Sequence, residues 1–180
     1  VLALAMGITM TACSGTKTTQ DTDKATDGAK AATMQIAKDD IKIGVIHIGD
    51  PSAGSGYTYA HDQGVVAMQK ELGLSDDQIV RKNNINDTDP TATQKAIEEC
   101  IENGCNVIFG TSWGYMDTME ALAKEYPDVI FSHGTGYKNN GKNMNNYFGR
   151  IYQARYLSGI VAGMKTKSNL IGYVAAMGSD

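Results

Sequence analysis

Ile41-Lys-Ile-Gly-Val-Ile-His-Ile48, closed by Gly49-Asp50-Pro51 and a Gly/Ser-rich loop reaching Gly56, is the stretch that decides the fold. A β-branched run of this length ended by turn residues reads as a strand delivering the chain into a loop. From Tyr57 to Leu72 the period changes: apolar residues return at Tyr57, Ala60, Val65, Met68 and Leu72, which is helical spacing, and Gly73 stops the helix. Working outward, the alternation repeats. Gln78 to Ile85 reads as a second strand; Asp89-Pro90 opens a helix, with Asp as cap and Pro at the first helical position, and Ala96, Ile97, Cys100 and Ile101 form its buried stripe before Gly104. Asn106 to Phe109 is a strand, Tyr115 to Tyr126 a helix closed by Pro127, Val129 to Ser132 a strand, and Asn145 to Phe148 a fifth short strand. The order β-α-β-α-β-α-β with short connections predicts an α/β fold, a parallel sheet flanked by helices, with any ligand at the carboxyl ends of the strands.

The ends of the chain read differently. Residues 1–13 form an uncharged apolar run that stops at Cys13 after small residues, the pattern of a secretory signal, and Met10-Thr11-Ala12-Cys13 resembles a bacterial lipobox. The run is shorter than the roughly 20 residues of a bilayer-spanning helix. Cys13 is therefore the expected lipidation site, anchoring the protein to the membrane on its extracytoplasmic face. Residues 14–39, rich in Thr, Ala, Asp and Lys and without an aromatic, are expected to be a flexible tether. Residues 40–149 then form one lobe. In 150–180, a helix from Ile151 to Lys165 with Leu157, Ile160, Val161 and Met164 inward, and a strand from Leu170 to Ala175, read as a crossover and the start of a second, truncated lobe.

Composition narrows the function. The 180 residues carry 42% apolar and 20% charged side chains with a formal net charge of -4, an ordinary globular balance with no basic stripe for nucleic acid. Cys100 and Cys105 read as two separate buried thiols rather than a disulfide, and no second Cys or His pair stands at metal-ligand spacing. Neither a cofactor nor a metal is expected. The enzyme reading would need His61, Asp62, His133 or Asp117; His61 and Asp62 are helix neighbours about 100 degrees apart, and no nucleophile elbow or phosphate loop is present.

Three loops after the strands concentrate Gly, aromatic and small polar residues: Gly49 to Tyr59, Gly110 to Met116 and Ser132 to Tyr137. All three should open on one sheet edge, offering π-faces and hydrogen-bonding groups to a planar polar ligand. Each residue also has a scaffold reading: Tyr57 as the first turn of its helix, Trp113 as a cap on the sheet edge, and His133 as a hydrogen-bonded support.

Gly56-Tyr-Thr-Tyr-Ala-His-Asp62, Gly110-Thr-Ser-Trp-Gly-Tyr-Met-Asp117, His133-Gly-Thr-Gly-Tyr-Lys138, Tyr147-Phe-Gly-Arg-Ile-Tyr152 and Ser168-Asn-Leu-Ile-Gly-Tyr-Val-Ala175 together resemble the basic membrane protein family of ABC transporter substrate-binding lipoproteins, in its order and spacing. The resemblance implies a periplasmic-binding-protein type I fold, two lobes closing on a purine base or nucleoside, and delivery to an ABC permease and its ATPase. Carried over by position, it implies ligand contacts at Asp50, Gly56, Tyr57, Ser112, Trp113, Gly114, Tyr115, His133, Thr135, Gly136 and Tyr137. Tyr57 stands where the nearest branch has Trp, and Trp113 replaces Phe. The Asp-Lys-Ser-Phe-Asn form of the nucleoside receptors is missing around Asp50, which counts against a ribose-bearing ligand. Two alternatives stay open: a sensing lipoprotein of the same fold that signals to a membrane kinase, and an extracytoplasmic enzyme acting on nucleosides.

Overall fold

The computed structural model describes residues 35–175; the signal run, Cys13 and most of the expected tether lie outside them. Five strands form one sheet: β1 (Ile43–Ile46), β2 (Ile79–Lys82), β3 (Val107–Gly110), β4 (Ile130–Gly134) and β5 (Met144–Tyr147). They lie in the order β2-β1-β3-β4-β5, and every pair is parallel. The helices are α1 (Gly56–Leu72), α2 (Pro90–Glu102), α3 (Met116–Glu125) and α4 (Ile151–Lys165). All four residues of β1 are buried, as expected of a parallel strand covered on both faces.

Alternate residues divide the core. Ile46, Ile108, Phe131 and Met144 face α2 and α3, meeting Ile97, Cys100, Met119 and Leu122. Ile43, Val45 and Val107 face α1 and meet Val65. Helix α1 ends at Gly73, whose φ of 61° lets its amide turn back onto the Gln69 and Lys70 carbonyls. The expected cap of α2 is present: the Asp89 carboxylate accepts from the amides of Thr91 and Ala92, with Pro90 leading the helix. Cys100 and Cys105 are free, buried thiols.

Three expectations need correction or refinement. The fold begins before residue 40: Ile36 packs on the α1-side core, and the turn at Lys38–Asp40 is held by the Gln78 side-chain amide, which donates to the Lys38 and Ile41 carbonyls. Residues 170–175 are not a strand, because no neighbouring strand among the described residues offers them backbone partners. The stripe read as inward on α4 is exposed: Leu157, Ile160, Val161 and Met164 are each 43% or more accessible and join neither buried core cluster. The 3.6 period marked an apolar face correctly, but a period cannot supply the layer that covers it.

Candidate functional site

The rim at the carboxyl end of the sheet is built by the loops after β1, β3 and β4, tied together by three contacts. The Tyr57 hydroxyl, at the start of α1, donates to the Thr111 carbonyl after β3 at 2.5 Å. His133, near the end of β4, donates from Nε2 to the Ser112 carbonyl at 2.7 Å. The Trp113 and Tyr137 rings lie 5.8 Å apart, tilted by 54°. These loops present their aromatics to solvent: Tyr57 is 48%, Trp113 43% and Tyr137 66% exposed.

Other expected contacts take supporting places. Tyr115 is fully buried, its ring in the α3-side core and its hydroxyl donating to the Ile85 carbonyl at 2.6 Å. Ser112 is buried, with its hydroxyl donating to Asp87 Oδ2 at 2.7 Å. His133 is fully buried and burial lowers its pKa, so the ring is neutral with its proton on the bonded Nε2. Its Nδ1 has no partner among the described residues and lies beneath Gly136, where a Cβ would come within 2.0 Å of it. Only glycine fits there. Asp50 is exposed at a loop tip, accepting from the Ser52 amide, which holds its carboxyl below the ordinary range. Gly56, with a φ of 86°, starts α1.

Thr135 is the strained residue of the rim. Its φ of 74° is unusual for a β-branched side chain, and its hydroxyl oxygen is buried without a partner among the described residues. Such an atom costs free energy unless something else engages it.

Asp87 was not anticipated. It sits on the loop between β2 and α2, where the sequence offers only turn residues and the more obvious cap Asp89. Its partners are 25 and 27 residues away, a distance no local pattern reveals. Nor was the pairing of Asp62 foreseen: it turns away from His61 and joins buried His47 at 3.3 Å and Arg81 at 2.6 Å, locking α1 to β1 and β2. Asp117 pairs with Lys138 at 2.8 Å, fastening the loop after β4 to α3. A cavity of about 260 Å³ lies along α1, lined by Val65, Met68, Phe109 and Tyr147 among others, on the flank that α1 leaves open rather than between the rim aromatics. No group of three or more His, Cys, Asp or Glu side chains among the described residues is placed to hold a metal ion, and no helix there is long and apolar enough to cross a membrane.

Comparison with known proteins bears on the family and the fold. A purine-binding protein of Brucella abortus is 36% identical over 141 residues, covering 78% of this chain and 39% of the relative. A Haloferax volcanii protein whose name assigns it glucose binding in an ABC transporter is 40% identical over 121 residues, covering 67% of this chain and 29% of the relative. The chain thus spans well under half the length of these curated relatives. Among solved structures, an ABC transporter solute-binding protein from Conexibacter woesei superposes with a TM-score of 0.53 at 22% identity, over 68% of this chain and 40% of its own. A transcriptional activator of the comK gene from Bacillus halodurans gives 0.55 at 21%, over 70% and 41%. At such identities the two structures speak for the fold alone. Residues 41–180 match the family described as "Bmp: ABC transporter substrate-binding protein PnrA-like", and the chain belongs to that family.

Proposed function

We propose that this chain is the first lobe of an extracytoplasmic lipoprotein, anchored through Cys13, that binds a purine base or nucleoside and hands it to the permease and ATPase of an ABC importer. The observation that carries the reading is the rim itself: Tyr57, Trp113 and Tyr137 stand exposed around the loops that hold the unpartnered Thr135 hydroxyl. Flat π-faces with a buried, unsatisfied polar group suit a planar heterocycle bearing hydrogen-bonding edges. The purine-binding relative supports that choice of ligand. In this reading, a second lobe closes over the ligand and the closed form is what the permease recognises.

The chain is a receptor and not an enzyme. His133 spends its Nε2 proton on a backbone carbonyl, and its other nitrogen is capped by Gly136. Ser112 is buried and its hydroxyl is committed to the same Asp87 oxygen that holds the Gly114 amide, so in this reading neither residue serves as a nucleophile or proton shuttle. His133, Ser112, Gly136 and Tyr115 act by shaping the rim, while Tyr57, Trp113, Thr135 and Tyr137 touch the ligand.

Calorimetric titration of the intact protein with adenine, guanine, adenosine, guanosine, inosine, ribose and glucose tests this. Micromolar or tighter binding of a purine, weakened roughly tenfold or more but still measurable in Trp113→Ala and Tyr57→Ala, is expected. Binding of glucose alone would replace the purine assignment with a sugar. Silence with every ligand would remove both.

A further inference from the structure

We infer that Asp87 is a positioning residue, clamping the segment around Ser112 and Gly114 so that Trp113 is held as a fixed wall of the cleft. Trp113 follows directly on Ser112 and precedes Gly114, and both neighbours are pinned from outside their own loop. Asp87 Oδ2 accepts from the Ser112 hydroxyl at 2.7 Å and from the Gly114 amide at 3.4 Å. On the opposite side, His133 holds the Ser112 carbonyl at 2.7 Å. The loops touch as well: a Cβ on Gly114 would lie 2.1 Å from the Asp87 carbonyl oxygen. Two residues before Asp87, the Ile85 carbonyl receives the Tyr115 hydroxyl at 2.6 Å.

The clamp has a firm base. Asn86 Oδ1 accepts from the amide and hydroxyl of Thr88, and Asp89 caps α2 immediately after. The indole of Trp113 rides on this pinned backbone, with its ring 5.8 Å from that of Tyr137 and tilted by 54°. A carboxylate suits this task because bonds to an ionised acceptor are shorter and roughly twice as strong as neutral ones. Fixing the indole before a ligand arrives removes an ordering cost that would otherwise weaken binding.

The fluorine spectrum of the intact protein labelled with 5-fluorotryptophan tests the clamp without any ligand, the Trp113 signal being assigned by its loss in Trp113→Phe. Asp87→Ala and Ser112→Ala, which release the clamp from opposite ends, should each shift or broaden that signal. Asp87→Asn, which keeps one acceptor, should restore most of it. The ligand arm rests on the purine reading and uses adenine: Asp87→Ala should weaken binding about tenfold by freeing the indole, and that loss should vanish in a Trp113→Ala background. An unchanged Trp113 signal in both Asp87→Ala and Ser112→Ala overturns the inference, as does an equal loss of adenine affinity with and without Trp113. A changed signal in a protein that binds no purine leaves the clamp standing and removes the purine reading instead.

Discussion

Gly114→Ala adds one methyl group at the closest approach between two rim loops. The new Cβ would lie 2.1 Å from the Asp87 carbonyl oxygen, 2.8 Å from its carbon and 3.0 Å from the Asp87 Cβ, two of the three being backbone atoms that cannot swing aside. Gly114 is not among the residues with positive φ, so alanine meets no backbone strain and the effect is steric alone. The loops must part by roughly 1 Å to restore ordinary contact. That carries the Gly114 amide, already at 3.4 Å, out of reach of Asp87 and stretches the 2.7 Å Ser112 bond. Losing a hydrogen bond to a charged group costs about 1.5–3 kcal/mol. For a chain of this size the melting temperature should fall by about 3–12 °C. Gly64→Ala is the matched control: Gly64 lies inside α1 with nothing within 4 Å of its would-be Cβ, so alanine should stabilise by about 0.5–1 kcal/mol. Thermal and denaturant unfolding of both variants in the intact protein decide the matter. A Gly114→Ala protein that melts with the wild type while Gly64→Ala gains stability would refute the close packing of the two loops.

Three further outcomes follow from the packing. Asn143 is buried and its amide donates to the carbonyls of Ala123, Tyr126 and Val129 at 2.8–3.0 Å, so Asn143→Ala should cost about 2–4 kcal/mol in denaturant unfolding; a loss within about 0.5 kcal/mol would show that water replaces it. Burial lowers the pKa values of His47, His61 and His133, so the unfolded chain binds protons at a higher pH than the folded one. Their contribution is therefore complete above about pH 6.5 and is lost as the pH falls through the lower folded values, so melting temperature should drop between pH 7.5 and 5.5, and a flat or rising profile would contradict it. The neighbouring Cys105 thiol, together with burial, pushes Cys100 up, and the same contact lowers Cys105; because both sulfurs are buried, a thiol reagent should modify neither until the protein is denatured.

The alternation of strand and helix was legible because its periods are local: Ile43–Ile46 and Gly56–Leu72 announce themselves within their own residues. The cap at Asp89 was legible for the same reason. What escaped were relations across the chain. Tyr115 and Trp113 look alike as aromatics in a glycine loop, yet the turn at Trp113–Tyr115 sends one ring into the core and leaves the other in solvent. His133 reads equally well as a contact or a support until the Ser112 carbonyl and Gly136 are seen on either side of its ring. Asp87 was hidden because its partners come from the next strand's loop. The apolar run at 170–175 fits a strand by composition, but a strand exists only where another offers it hydrogen bonds.

The strands finish almost in line: Ile46 stands opposite both Lys82 and Gly110, Gly110 opposite His133, and His133 opposite Asn146. Each rim loop therefore departs from the same level of a finished framework. An exchange at an exposed rim position such as Tyr137, which is 66% exposed, leaves the register of the sheet untouched. The exposed rim positions can therefore vary without disturbing the sheet, whereas the clamped ones, Gly114 among them, cannot.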